Sequence, residues 1–173
     1  LEGNSKVFYK YDIAANTWSA LANTSDNVNE GGSAQYLNVG GTEYVFALLG
    51  GSNRFRRYSV SGNSWTNMVN TPSNVKKGGA LTTDGTYLYA LRGAANLEYL
   101  LQLANDTSAA GTLLDNGTAN PWNANVGDGC SLLWNGDTTQ AGFRLHATPG
   151  GTVGTSFKVA TWNSSAPVWG DGP

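Results

Sequence analysis

Charge is scarce in this chain. Asp, Glu, Lys and Arg make up 13% of its 173 residues, against about a quarter in an ordinary soluble domain. Neither sign prevails, for the formal net charge is −2 and the pI is near 5.2. A partner such as nucleic acid needs a basic surface to meet its phosphates, so that class is excluded. The basic clusters, Arg54, Arg56 and Arg57 and the pair Lys76-Lys77, read as a solvated strand edge or loop.

Cysteine and histidine are scarcer still, with one of each. Cys130 has no partner for an internal disulfide and stands in the apolar run Cys130-Ser131-Leu132-Leu133-Trp134, where it reads as a small buried hydrophobe. His146 lies in the strand-like pattern Phe143-Arg144-Leu145-His146-Ala147 and reads as structural, since it lacks a companion for a metal site. No apolar run approaches the roughly 18 residues that cross a membrane, so no membrane span is expected. No secretory leader is visible and the first residue is Leu, which fits a processed chain or part of a longer one. Chemistry-bearing motifs are equally thin. There is no phosphate loop, no paired-cysteine motif and no Ser/His/Asp set, and the carboxylates are scattered. Asp84-Gly85 reads as a turn, and the Asn/Asp/Gly-rich stretch from Asp115 to Gly129 as a surface loop rather than a calcium site. No catalytic residue, cofactor or metal is expected.

What the chain does have is Gly, Asn, Ser, Thr and aromatics, including 23 Gly, 6 Trp and 8 Tyr. Gly and Asn suit turns, and aromatics suit half-buried pleated surfaces, so the composition predicts an all-β protein of short strands. A repeat organises them. Phe8, Tyr11, Asn16 and Trp18 recur 47 positions later as Phe55, Tyr58, Asn63 and Trp65, and Gly31-Gly32 recurs as Gly78-Gly79. An apolar run follows each Gly pair, Tyr44 to Leu49 and then Tyr87 to Leu91. A looser third copy has Gly127-Asp128-Gly129 in place of the pair, a turn at Asn135-Gly136-Asp137, a second strand within Phe143 to Gly151, and Trp162 and Trp169 as its aromatic pair. Each unit reads as four strands, the first hairpin closed at Gly40-Gly41 or Asp84-Gly85, as residues tolerant of positive φ allow.

The Gly pair, the aromatic seven positions before a Trp and the unit length resemble kelch repeats, as in kelch proteins and the propeller of galactose-oxidase-like enzymes. The resemblance implies β-propeller blades, with Gly pairs near the ring axis and Tyr11, Trp18, Tyr58, Trp65, Trp162 and Trp169 between adjacent blades. It implies one domain over residues 1–173, with a half blade at 7–21 and blades at about 31–69, 78–114 and 127–170. That is an incomplete ring. A single blade has two apolar faces and must stack on neighbours, so the expected partners are other copies of the chain or missing blades of a longer one. Two chains completing one ring, or a head-to-tail fibre, both satisfy the requirement.

The sequons at Asn23, Asn105, Asn116 and Asn163, with the low charge, predict an extracellular or cell-surface, glycosylated protein. Trp122 and Trp134 lie outside the repeat positions and are candidates for stacking on glycans. The function expected is therefore a non-enzymatic, self-assembling structural or interaction protein. A carbohydrate-binding propeller and a fragment of a secreted propeller enzyme are the rivals, though one His excludes a copper site of the galactose-oxidase kind within this segment.

Overall fold

A computed structural model describes residues 1–85, 87–94, 97–102, 112–119, 126–137, 144–151, 157–163 and 166–171. Among them there is no helix, and the strands form small antiparallel sheets. The first sheet has two strands, β1 (Tyr9–Asp12) and β2 (Thr17–Ala20). Next comes a four-stranded sheet of β3 (Ser33–Val39), β4 (Thr42–Leu48), β5 (Phe55–Ser59) and β6 (Ser64–Asn67), each strand beside its predecessor. β7 (Ala80–Thr83), β8 (Tyr87–Leu91), β9 (Leu97–Gln102) and β10 (Thr112–Ala119) form a second such sheet. β11 (Ser131–Trp134), β12 (Leu145–Thr148), β13 (Lys158–Asn163) and β14 (Ala166–Asp171) form a third.

The 47-residue period governs hydrogen bonds as well as residue types. The Leu21 amide donates to the Phe8 carbonyl, and the Met68 amide to that of Phe55. Likewise Glu2 N donates to Val7 O and Leu49 N to Arg54 O; Thr24 N donates to Lys6 O and Thr71 N to Asn53 O; Val28 N donates to Ser5 O and Val75 N to Ser52 O. The two-stranded sheet is therefore the outer half of the same unit, with β1 and β2 standing where β5 and β6 stand one repeat on. Residues 1–3 occupy the track of Leu48-Leu49-Gly50. Asn4 takes the left-handed conformation of Gly51, with φ of 56° against 63°.

First strands meet at the centre. β3 lies against β7 and β7 against β11, and the Ser33 hydroxyl accepts a 3.1 Å bond from the Leu81 amide. The turns leading into these strands are stacked backbone on backbone. Gly31, Gly78 and Gly129 share a φ near 80° (80°, 79° and 81°), which L side chains rarely adopt. A Cβ on Gly78 would collide with the Gly127 carbonyl, and one on Gly31 with that of Lys76. One position before each of these glycines stand Glu30, Lys77 and Asp128. The Lys77 ammonium lies 3.6 Å from the Glu30 carboxylate and 3.7 Å from that of Asp128. These exposed pairs add little stability, but they show equivalent positions of three successive units converging. The sheet arrangement is propeller-like.

Between sheets lie the cores. Phe46, Leu48 and Phe55 of one sheet meet Leu81, Leu88 and Ala90 of the next, with Val75 between. Tyr89, Leu91 and Ala80 then face Leu145, Ala147 and Ala160, with Val126 alongside. Two sequence expectations need correction here. Arg56 and Arg57 are buried, not solvated. Arg56 sits beside the Asp26 carboxylate, 3.7 Å away, and donates to the Phe55 carbonyl at 2.8 Å and the Ser25 hydroxyl at 3.1 Å. Arg57 lies over the Tyr44 ring, 4.6 Å from its centroid. In the third unit, Gly129 takes the first Gly position and Cys130 the second, since Cys130 N donates to Gly127 O as Gly79 N does to Lys76 O.

The stacked turns generate a prediction. Gly78→Ala adds both a strained φ and a backbone collision, so it should destabilise the fold by at least about 1–3 kcal/mol. Gly170→Ala, in open space at an ordinary φ, should change stability by less than about 0.5 kcal/mol. Denaturant unfolding of the two variants checks this, and equal effects would contradict the stacking.

Candidate functional site

The feature with most to say about function is the joint between the two-stranded sheet and the first four-stranded one. Alternation along β5 and β6, which pair Tyr58 with Trp65, puts both rings on the face turned toward β1–β2. Phe8, the residue just before β1, reaches across to them. Its ring centroid is 4.9 Å from Tyr58 and 5.3 Å from Trp65, edge-on to both, a geometry that adds about 0.5–1.5 kcal/mol per pair beyond area burial. Polar groups close the joint. The Trp65 indole N–H donates to the Ala22 carbonyl at 2.8 Å. The Asn63 side-chain oxygen accepts from the Tyr58 hydroxyl at 2.7 Å and from the Ala22 amide at 2.9 Å. Burial raises the Tyr58 pKa above its ordinary value, which keeps the hydroxyl a donor. This joint thus takes a Phe and a backbone segment from the preceding unit, and a Tyr, Trp and Asn from the following one.

At the N-terminal end of the stack the same receiving face is uncovered. β1 and β2 pair Tyr11 with Trp18 and Tyr9 with Ala20. Tyr9 and Tyr11 are each 41% exposed and Trp18 is 69% exposed. The Tyr11 hydroxyl donates to the Asn16 side-chain oxygen, as Tyr58 does to Asn63, so the face is formed although nothing covers it. Leu1, Glu2, Tyr9 and Trp18 bound a cleft of about 400 Å³ on it.

At the other end, the third sheet turns its far side outward. Leu132 and Trp134 pack inward against the second sheet. Leu133 is 63% and Val168 49% exposed, and Phe157 lies stacked on His146 at 5.4 Å between ring centroids. Phe157 precedes β13 as Phe8 precedes β1 and Phe55 begins β5. It therefore occupies the position whose ring, in the Phe8 joint, enters the following unit.

Of the residues singled out by sequence, Tyr11 with Trp18 and Tyr58 with Trp65 are brought together as cross-strand pairs. Trp162 and Trp169 are not. β13 pairs Trp162 with Pro167 and Trp169 with Ala160, and the seven-residue spacing that crosses the strands falls one position earlier, on Thr161 and Val168. The side chains of Trp162, Trp169, Asn116 and Asn163 lie outside the described residues, as do Asn105 and Trp122 altogether. Asn23 is exposed after β2. Trp134 is half-buried and its indole donates to the Asp137 carbonyl at 3.2 Å, which ties it into the joint between the second and third sheets. Asp84 caps its turn, accepting from Tyr87 N and the Tyr89 hydroxyl, each at 2.7 Å. Phe8, Asn63 and Phe157 were not named as site residues. The signal for Phe8 and Asn63 was present, since Phe and Asn keep the 47-residue offset as faithfully as Tyr and Trp, whereas Phe157 lies off that offset.

Among the described residues, no three His, Cys, Asp or Glu side chains converge, and no helix is long and apolar enough to cross a membrane. Compared with known proteins, the chain matches no family model, and no curated protein matches it in sequence.

Cys130, packed against the core between the second and third sheets, has its thiol pushed up to about 12 by burial. The thiolate is the reactive form, so a thiol reagent at pH 8 should modify Cys130 far more slowly in the folded chain than in denaturant. A native rate within about twofold of the unfolded one would contradict the burial.

Proposed function

We propose that the chain is a kelch-like β-propeller segment of about three and a half blades that works by assembly, as a non-enzymatic, extracellular structural or interaction protein. The observation that carries this reading is the complementarity of its two open ends. One end presents Tyr11 and Trp18 with no Phe to meet them. The other presents Phe157, 37% exposed, with no Tyr and Trp beyond it among the described residues. Inside the stack these same positions form the Phe8 joint. Open apolar faces on a folded domain are contact surfaces or aggregation hazards, so a further unit, from another copy placed head to tail or from more of the same polypeptide, is the natural cover. Low charge and the exposed Asn23 sequon support an extracellular setting.

The geometry favours an open stack over a closed ring made by two copies. β1–β2 is an outer strand pair in every copy, and two outer pairs do not add up to one four-stranded blade. Carbohydrate binding is the second reading, favoured by the open aromatic cleft, where a sugar ring would stack on Trp18 and Tyr9.

Sedimentation over a range of concentrations tests the first reading. The mass should rise above the 18.2 kDa of one chain, and Phe157→Glu or Trp18→Glu should each return it to the monomer. A monomer at every concentration would contradict assembly, and glycan binding by that monomer, lost in Trp18→Ala, would establish the second reading instead.

A further inference from the structure

The open end of the stack has an unpaired strand edge beside its exposed face, and the repeat specifies what fits both. β1 pairs with β2 on one side. On the other side, in the next unit, β5 carries β4, with Val45 opposite Tyr58, Phe46 opposite Arg57, Ala47 opposite Arg56 and Leu48 opposite Phe55. Shifted by one repeat, the last of these pairs is Leu1 opposite Phe8, and Leu1 and Glu2 already run on that track. The Glu2 amide bonds the Val7 carbonyl at 3.1 Å, as Leu49 does that of Arg54. Among the described residues, the edge of β1 from Tyr9 to Asp12 has no strand against it.

The cleft bounded by Leu1, Glu2, Tyr9 and Trp18 has the same explanation. Its walls correspond to Leu48, Leu49, Arg56 and Trp65. One unit on, Val28 and Ala47 pack with Leu49 and Trp65 in a closed cluster. Val28 and Ala47 have no counterparts in the two-stranded sheet, and the cleft of about 400 Å³ lies where they would stand.

We infer that the edge of β1 and this cleft take up one occupant, a β-hairpin with the repeat's own first-and-second-strand pattern. It enters in register with Leu1, sets a β-branched residue opposite Tyr11 and a small one opposite Tyr9, and brings a Val into the cleft. The backbone hydrogen bonds of strand addition give affinity, and the Ala and Val positions give selectivity. This inference rests on the propeller reading but not on self-association.

The test is a chain carrying a second copy of residues 28–47 joined directly before Leu1, beside a version whose added 20 residues are in shuffled order. Amide exchange in Tyr9–Asp12 should slow about tenfold or more with the ordered segment and not with the shuffled one. Trp18 emission, taken as the difference from a Trp18→Phe background, should shift to the blue. If the extended chain does not fold, a free peptide of residues 28–47 added to the unextended chain should give the same protection. Unchanged exchange with both forms, or equal protection by the shuffled segment, would overturn the inference. Sedimentation of the same samples keeps the two ideas apart. Protection in a chain that stays monomeric defeats only the assembly reading, and self-association without protection defeats only the hairpin.

Discussion

The structure depends on apolar joints between successive units, of which the first is aromatic. A four-stranded sheet of this composition has two apolar faces, and the short strands cannot curl to cover either. Phe8 set edge-on to Tyr58 and Trp65, with Asn63 and the Trp65 indole bonding the Ala22 backbone, shows how one face is covered. The contact is directional, because one unit supplies the Phe and the backbone while the next supplies the receiving rings. A directional joint leaves two unlike ends wherever a stack stops. Everything proposed about assembly follows from that asymmetry.

A second constraint acts at the centre. First strands crowd together there, and the turns that feed them approach backbone to backbone. A side chain does not fit a φ near 80° under a neighbouring carbonyl, which is why Gly31 and Gly78 are glycines, and Gly129 keeps the same φ with open space around it. At the second position a Cβ on Gly79 would likewise meet a backbone carbonyl, that of Gly31. That position keeps an ordinary φ, and the third unit places Cys130 there.

Much of this was legible in the sequence because both constraints require particular residue types. Phe, Tyr, Asn and Trp at the joint and Gly at the centre keep a constant offset, and the offset predicted the four-strand units and the two-strand start. Legibility failed where a position is fixed by neighbours rather than by its own chemistry. Arg56 and Arg57 look like a solvated patch until Asp26 and the Tyr44 ring are seen beside them. Trp162 and Trp169 preserve the spacing, yet the pairs seven apart that meet across the strands are set one position earlier, at Thr161 and Val168. The match of residues 1–3 to the end of a second strand is carried by Leu1 and Gly3, which keep the offset to Leu48 and Gly50, but so short a run stands out only once the hydrogen bonds are seen.

The central claim is that one aromatic position stabilises the fold only when another unit covers it, and Trp18 and Trp65 supply the comparison within one molecule. Each is changed to Ala, and the free energy of unfolding is measured by denaturant titration at a concentration where the chain is monomeric. Trp65→Ala should cost at least about 2 kcal/mol, and Trp18→Ala less than about 1 kcal/mol. Equal losses at the two positions would contradict the account.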